Sequence, residues 1–123
     1  MQFYLVAAAS SAMLAVILGA FAAHGLKSRI SESMLSVFQT GVHYQFIHSI
    51  GIILLVLLYR QQAQVSYLWS AGFMLAGIAL FSGSLYALAL TEIKWFGPVT
   101  PLGGLCFILG WATLIVAALK SGQ

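Results

Sequence analysis

"GVHYQFIHSIGIILLVLLYR" occupies residues 41–60. Its second half, from Gly51 to Leu58, has no polar side chain, while its first half holds two of the chain's three histidines with Tyr44, Gln45 and Ser49. A run of this kind is either the buried helix of a soluble domain or one crossing of a membrane. The composition of the rest of the chain decides between them.

The chain has 123 residues, of which 62% are hydrophobic and 6% charged, and its mean hydropathy is +1.03. A soluble domain carries about 25% charged residues. This one cannot cover a globular surface with polar groups, so lipid is its expected solvent. A membrane-spanning helix needs about 20 mostly apolar residues, so four spans use nearly the whole chain as a single domain. The net charge of +3 comes from Lys27, Arg29, Arg60, Lys94 and Lys120, set against two acidic residues. These cations are scattered into the breaks between apolar runs. A nucleic-acid surface would cluster them on one face, so no nucleic-acid partner is expected. The lone Cys106 forms no intrachain disulfide or CxxC pair and reads as a small packing residue.

Working outward from 41–60, spans are expected at about 3–23, 44–59, 65–90 and 101–119. "GAFAA" at 19–23 contains an A-x-A-like cleavage pattern. "MQFYL" before it has no Lys or Arg for a charged n-region, so the segment is expected to stay as the first span. Gly25 is placed as a left-handed helix cap. Ser31 reads as an N-cap with Glu32 in the first turn, opening an amphipathic helix at about 31–43 that leads into the second span, with a bend allowed at Gly41. The third span is longer than a perpendicular crossing requires, so it should tilt or project. Thr100 reads as the N-cap of the fourth span and Pro101 as its first helical residue. Tyr59, Trp69 and Trp95 fall near span ends, where amphipathic aromatics favour the headgroup region. Lys27, Arg29 and Lys94 stand against Arg60 and Lys120, too small a bias to orient the chain.

Helices in lipid associate by close packing and interhelical hydrogen bonds, which favours small residues where they meet. Rows of small residues occur at Ala8, Ala12, Ala15, Gly19 and Ala22; at Gly72, Ala76, Ala79, Gly83 and Ala87; and at Gly103, Cys106, Gly110, Thr113 and Ala117. The glycines Gly19, Gly72, Gly83, Gly103 and Gly110 are the expected packing positions. The second span offers Tyr44, His48, Gly51 and Leu55 instead. The expected fold is all-α: an integral membrane, antiparallel four-helix bundle with an amphipathic helical lead-in to its second span.

Antiparallel spans bring a set of polar groups to one end of that bundle. His24, Tyr44, His48, Ser82, Ser84, Tyr86 and Thr100 are the candidate cluster, with His43, Gln45 and Ser49 beside it. Such a cluster ties helices together by hydrogen bonds, binds a ligand, a metal ion or a proton, or meets a partner protein. His43 and His48 diverge by about 140° on a helix, which weakens a chelate. His24 and His48 are the only candidate metal ligands, and no metal or other cofactor is expected. No Asp or Glu lies inside a span, and there is no HExxH, P-loop or GxSxG pattern. Catalysis is not expected; an enzyme acting on lipid or quinone with His48 as base is the weakest reading.

Four ordered motifs carry a resemblance: "GAFAAHGL" at 19–26, "FQTGVHYQFIHSIGI" at 38–52, "FSGSLYALALT" at 81–91 and "GPVTPLGGLCFILGW" at 97–111. With these the chain resembles, over nearly its full length, the small integral membrane proteins known as domain of unknown function 423. The matching positions are His24, Gly25, Tyr44, His48, Ser82, Ser84, Tyr86, Thr100, Pro101, Gly103, Gly104 and Trp111. The resemblance implies four spans and, for bacterial members, the cytoplasmic (inner) membrane; it brings no substrate, cofactor or catalytic residue. The expected function is that of a structural or accessory protein that self-associates and supports another membrane complex or the lipid. The alternative is an oligomeric transporter or channel for a small solute, metal ion or proton, built on the polar cluster.

Overall fold

Ser31 starts the central helix as its position predicts. Its backbone is extended (φ −64°, ψ 158°) and its Oγ accepts the Met34 N–H at 3.2 Å, satisfying one of the donors left free at a helix start. From there α2 (Glu32–Gln61) runs unbroken for 30 residues. The amphipathic lead-in and the second span are therefore one helix, with no break at Gly41. At 1.5 Å per residue it is about 45 Å long, against a hydrocarbon core of about 30 Å. Its first turns stand clear of the hydrocarbon, where Ser33, Ser36, Gln39 and Thr40 are exposed.

The computed structural model describes residues 1–121. Before α2 lies α1 (Gln2–Phe21), which continues through a π-turn at Ala22–Leu26. The third span is α3 (Val65–Gly77), a second π-turn at Ile78–Ser82, and α4 (Gly83–Thr91); a 3₁₀ turn (Lys94–Phe96) leads to α5 (Val99–Ser121). The four helical spans so formed are each long and apolar enough to cross a membrane. They make the expected antiparallel four-helix bundle. The second and third spans occupy its centre, with α1 against α2 and α5 against the third span.

Three local expectations are corrected. Gly25 lies inside the first π-turn and has no positive φ; among the described residues the left-handed cap is Glu92 (φ 56°), which closes α4. Thr100 does not cap α5, which begins one residue earlier; its hydroxyl instead meets Ser84 Oγ at 2.6 Å. Pro101 still sits in the first turn, where a missing N–H costs nothing.

The third correction concerns how the helices touch. The small residues of α1 and α5 face inward: Ala8, Ala15, Ala22, Gly103, Gly110 and Ala117 are buried. Those of the third span do not, for Ala76, Ala79 and Gly83 are exposed. The inward face of α3 is instead Tyr67, Ser70, Ala71, Met74 and Gly77, and glycines of the neighbouring helices receive its large residue Met74. Met74 is fully buried between Gly51 and Gly110, whose hypothetical Cβ atoms would lie 3.1 Å from its Sδ and 2.8 Å from its Cγ. Tyr86 likewise fills the space beside Gly41, and in the other direction Phe107 of α5 fills that beside Gly77. At the second π-turn the Phe81 backbone presses on Gly103 so closely that a Cβ there would come within 2.6 Å of Phe81 Cα. Gly72 approaches Tyr4 Oη, Gly19 leaves ordinary contact with Val42, and Gly83 faces open space.

These contacts separate glycines the sequence treats alike. Gly103→Ala is expected to lower stability in detergent by about 1–3 kcal/mol through overpacking against immovable backbone. Gly83→Ala is expected to be neutral or to gain up to about 1 kcal/mol of helix propensity. Unfolding of the purified protein by heat or denaturing detergent compares the two.

Candidate functional site

Gln45 lies on the face of α2 turned toward α1, and it is buried to 3% exposure. Its amide Nε2 donates to the Ser11 carbonyl at 2.8 Å and lies 3.2 Å from Ser11 Oγ. The Tyr86 hydroxyl donates to its Oε1 at 2.6 Å. Ser49, one turn further on and fully buried, places its Oγ 2.8 Å from Ser11 Oγ and 2.7 Å from the Gln45 carbonyl. One carboxamide thus joins α1, α2 and α4.

His48 faces the other way, toward α5. Its Nδ1 is 2.8 Å from the Tyr44 carbonyl, and the Trp111 indole N–H donates to its Nε2 at 3.0 Å. A carbonyl only accepts and an indole N–H only donates. The ring is therefore the neutral Nδ1–H tautomer with both nitrogens engaged. Phe107 stacks on it at 3.6 Å between centroids and 12° between planes. The remaining ties are single. Ser82 donates to the Gly41 carbonyl at 2.7 Å, and Ser70 to the Gly110 carbonyl at 2.6 Å. Ser84 meets Thr100 as described above. Among the described residues no buried side-chain nitrogen or oxygen is left without a hydrogen-bond partner.

The expected single cluster at one end of the bundle is therefore redistributed. Tyr86 and Gln45 belong to the α1 side, and His48 to the α5 side, with Ser82, Ser84 and Thr100 as separate links. Tyr44 contributes its backbone carbonyl and its ring, which packs on Phe81 at 4.7 Å. His24 is exposed and belongs to neither set. About 20 Å of helix separates it from Ser11. Ser11 lies about 14 Å of helix from Gln2, and Gln45 about 22 Å from Arg60, which places Gln45 inside the hydrocarbon, in the half toward the loop at residues 27–31. No group of three or more His, Cys, Asp or Glu side chains that could hold a metal ion occurs among the described residues. The sequence reading passed over Ser11 and Ser70, isolated hydroxyls in apolar runs. The available signal was helical spacing to small residues that prove buried, Ser11 with Ala8 and Ala15, and Ser70 with Gly77.

Comparison with known proteins agrees with the motifs. The family described as "Protein of unknown function (DUF423)" matches residues 18–104, from the end of α1 to the start of α5. The chain belongs to the DUF423 family. Within it, the Bacillus subtilis protein named UPF0382 membrane protein YwdK is 44% identical over 121 residues, covering 98% of both chains. A UPF0382 membrane protein of Staphylococcus aureus is 41% identical over 120 residues, again with 98% of each covered. The Escherichia coli protein named UPF0382 inner membrane protein YgdD is 39% identical over 119 residues, covering 97% of this chain and 91% of its own. No solved structure matches the chain. This DUF423 protein is a multi-pass integral membrane protein, consistent with its four apolar helices.

The tie between α2 and α5 is measurable. A double-mutant cycle of His48→Phe and Trp111→Phe in a folded, detergent-solubilised protein is expected to show a coupling of about 0.6 kcal/mol, the average for intramembrane hydrogen bonds, and no more than about 1.7 kcal/mol. Gln45→Leu is expected to cost more than either single change, because it removes the hydrogen bonds to α1 and takes the acceptor from the Tyr86 hydroxyl on α4 together.

Proposed function

We propose that this chain is a non-catalytic structural or accessory protein of the bacterial inner membrane. It acts through the surface it shows to lipid and to other membrane proteins, further copies of itself included. The observation that carries this reading is the state of His48. It is the buried histidine of the bundle, and both its nitrogens are held by groups of the same chain, Tyr44 and Trp111. A proton carrier or metal ligand at that position needs a free nitrogen lone pair. Gln45, Ser49, Ser82 and Tyr86 are engaged in the same way, as ties between helices. The inner-membrane assignment rests on the name of the Escherichia coli relative.

Reconstitution tests the proposal against the transporter reading. Sealed vesicles holding the purified protein, loaded with a pH-sensitive dye or a zinc- or manganese-sensitive dye, are expected to leak no faster than protein-free vesicles. Flux that depends on the protein and disappears in a folded His48→Phe variant would overturn the proposal.

A further inference from the structure

His43 differs from His48 in every respect that matters for binding. It is exposed, and unlike His48 it makes no hydrogen bond among the described residues; its ring stands edge-to-face with Tyr44. It stands at the wall of a groove between α1 and α2 whose volume is about 280 Å³. The floor of the groove is the small-residue surface of α1 around Ala15, Gly19 and Ala20, and Phe46 lies one turn deeper than His43 on α2. Gly19 keeps the floor low: a Cβ there would already touch Val42 at 3.4 Å.

The depth of the groove gives it a chemical gradient. His43 is about 25 Å of helix from Arg60, and hydrocarbon is about 30 Å thick, so His43 lies at the boundary between acyl chains and headgroups. Below it the walls are apolar. Above it each wall turns polar. On α1 the exposed strip through Val16 and Ala20 leads into the π-turn, where His24 is exposed, and Lys27 follows it, also exposed. On α2 the strip through Phe46 and His43 continues to Gln39 and Ser36, also exposed. Arg29 follows in the connecting turn. The one acidic residue on this strip, Glu32, is about 16 Å beyond His43 along the helix, out toward water.

An apolar slot capped by an imidazole, an amide and cations is complementary to one kind of molecule in a bilayer. We propose that this groove seats an acyl chain of one anionic glycerophospholipid, with its phosphate against His43 and within reach of Lys27. The lipid belongs to the leaflet on the side of the loop at residues 27–31. This site is separate from the hydrogen-bonded network, which turns inward between the helices.

Native mass spectrometry of the protein released from mild detergent, titrated with phosphatidylglycerol and with phosphatidylcholine, tests the site. The wild type is expected to hold one phosphatidylglycerol per subunit and to prefer it over phosphatidylcholine by about fivefold, the effect of roughly one cation near a membrane surface. Ala20→Phe fills the groove from its lipid-exposed side and is expected to abolish the retained lipid. His43→Ala leaves the slot open and is expected to keep lipid binding but lose most of the headgroup preference. Val116→Phe, on the lipid-exposed face of α5, is expected to behave as the wild type, and circular dichroism checks that each variant is folded. Equal lipid retention by folded Ala20→Phe and the wild type, or no preference for phosphatidylglycerol in the wild type, would overturn the proposal.

Discussion

A polar side chain in hydrocarbon has no water with which to replace a lost partner, so it must find one inside the protein. Gln45 states that constraint in its sharpest form here. A primary carboxamide offers two donors and an acceptor, and all three find partners on helices other than its own, at Ser11 and Tyr86. Moving α1 along α2 by one residue would break the donors' contacts, and rotating α4 would break the acceptor's. The amide therefore sets the register of three helices at once, inside the hydrocarbon, where an unpaired group is costly. His48 does the same for α2 and α5, through a tautomer that its two partners dictate.

Close packing supplies what these few hydrogen bonds cannot. Helices surrounded by lipid gain little from the hydrophobic effect on meeting, and van der Waals contact between well-matched surfaces holds them. The match in this bundle is between a bulky residue on one helix and a glycine on another. Met74 reaches both Gly51 and Gly110, while Phe107 occupies the space that Gly77 leaves. The π-turn at Ile78–Ser82 belongs to the same arrangement. It brings the Phe81 backbone against Gly103 and aims the Ser82 hydroxyl at the Gly41 carbonyl. A π-turn re-aims side chains on either side of an extra residue, and here both results are interhelical contacts.

How much of this was legible follows from which interactions are local. Ser31 as a cap, the number of spans and the inward rows of α1 and α5 depend on composition and helical period, and they stand as read. The inward face of the third span was misplaced, because a row of small residues marks close approach only if the partner presents something large there. The sequence of one helix does not record its partner. Gly72, Ala76, Ala79, Gly83 and Ala87 make a regular row, yet Met74 and Tyr67 carry the contacts. The histidines were grouped by closeness to span ends. Helical rise separates them: His24 stays at the surface, His43 faces lipid, and only His48 turns into the bundle. Ser11 was passed over because a hydroxyl in an apolar run acquires its meaning from Gln45, 34 positions away.

The central claim is that the buried polar groups hold helices together and leave no free ligand or proton site. The nitrogen chemical shifts of His48 in the full-length protein, measured by solid-state NMR in lipid bilayers at neutral pH with and without added zinc, test it most directly. The account predicts a neutral ring protonated at Nδ1, with a bare Nε2 coupled to the Trp111 indole proton and no change on adding zinc. A ring protonated at Nε2, or an Nε2 signal that moves when zinc is added, would contradict it.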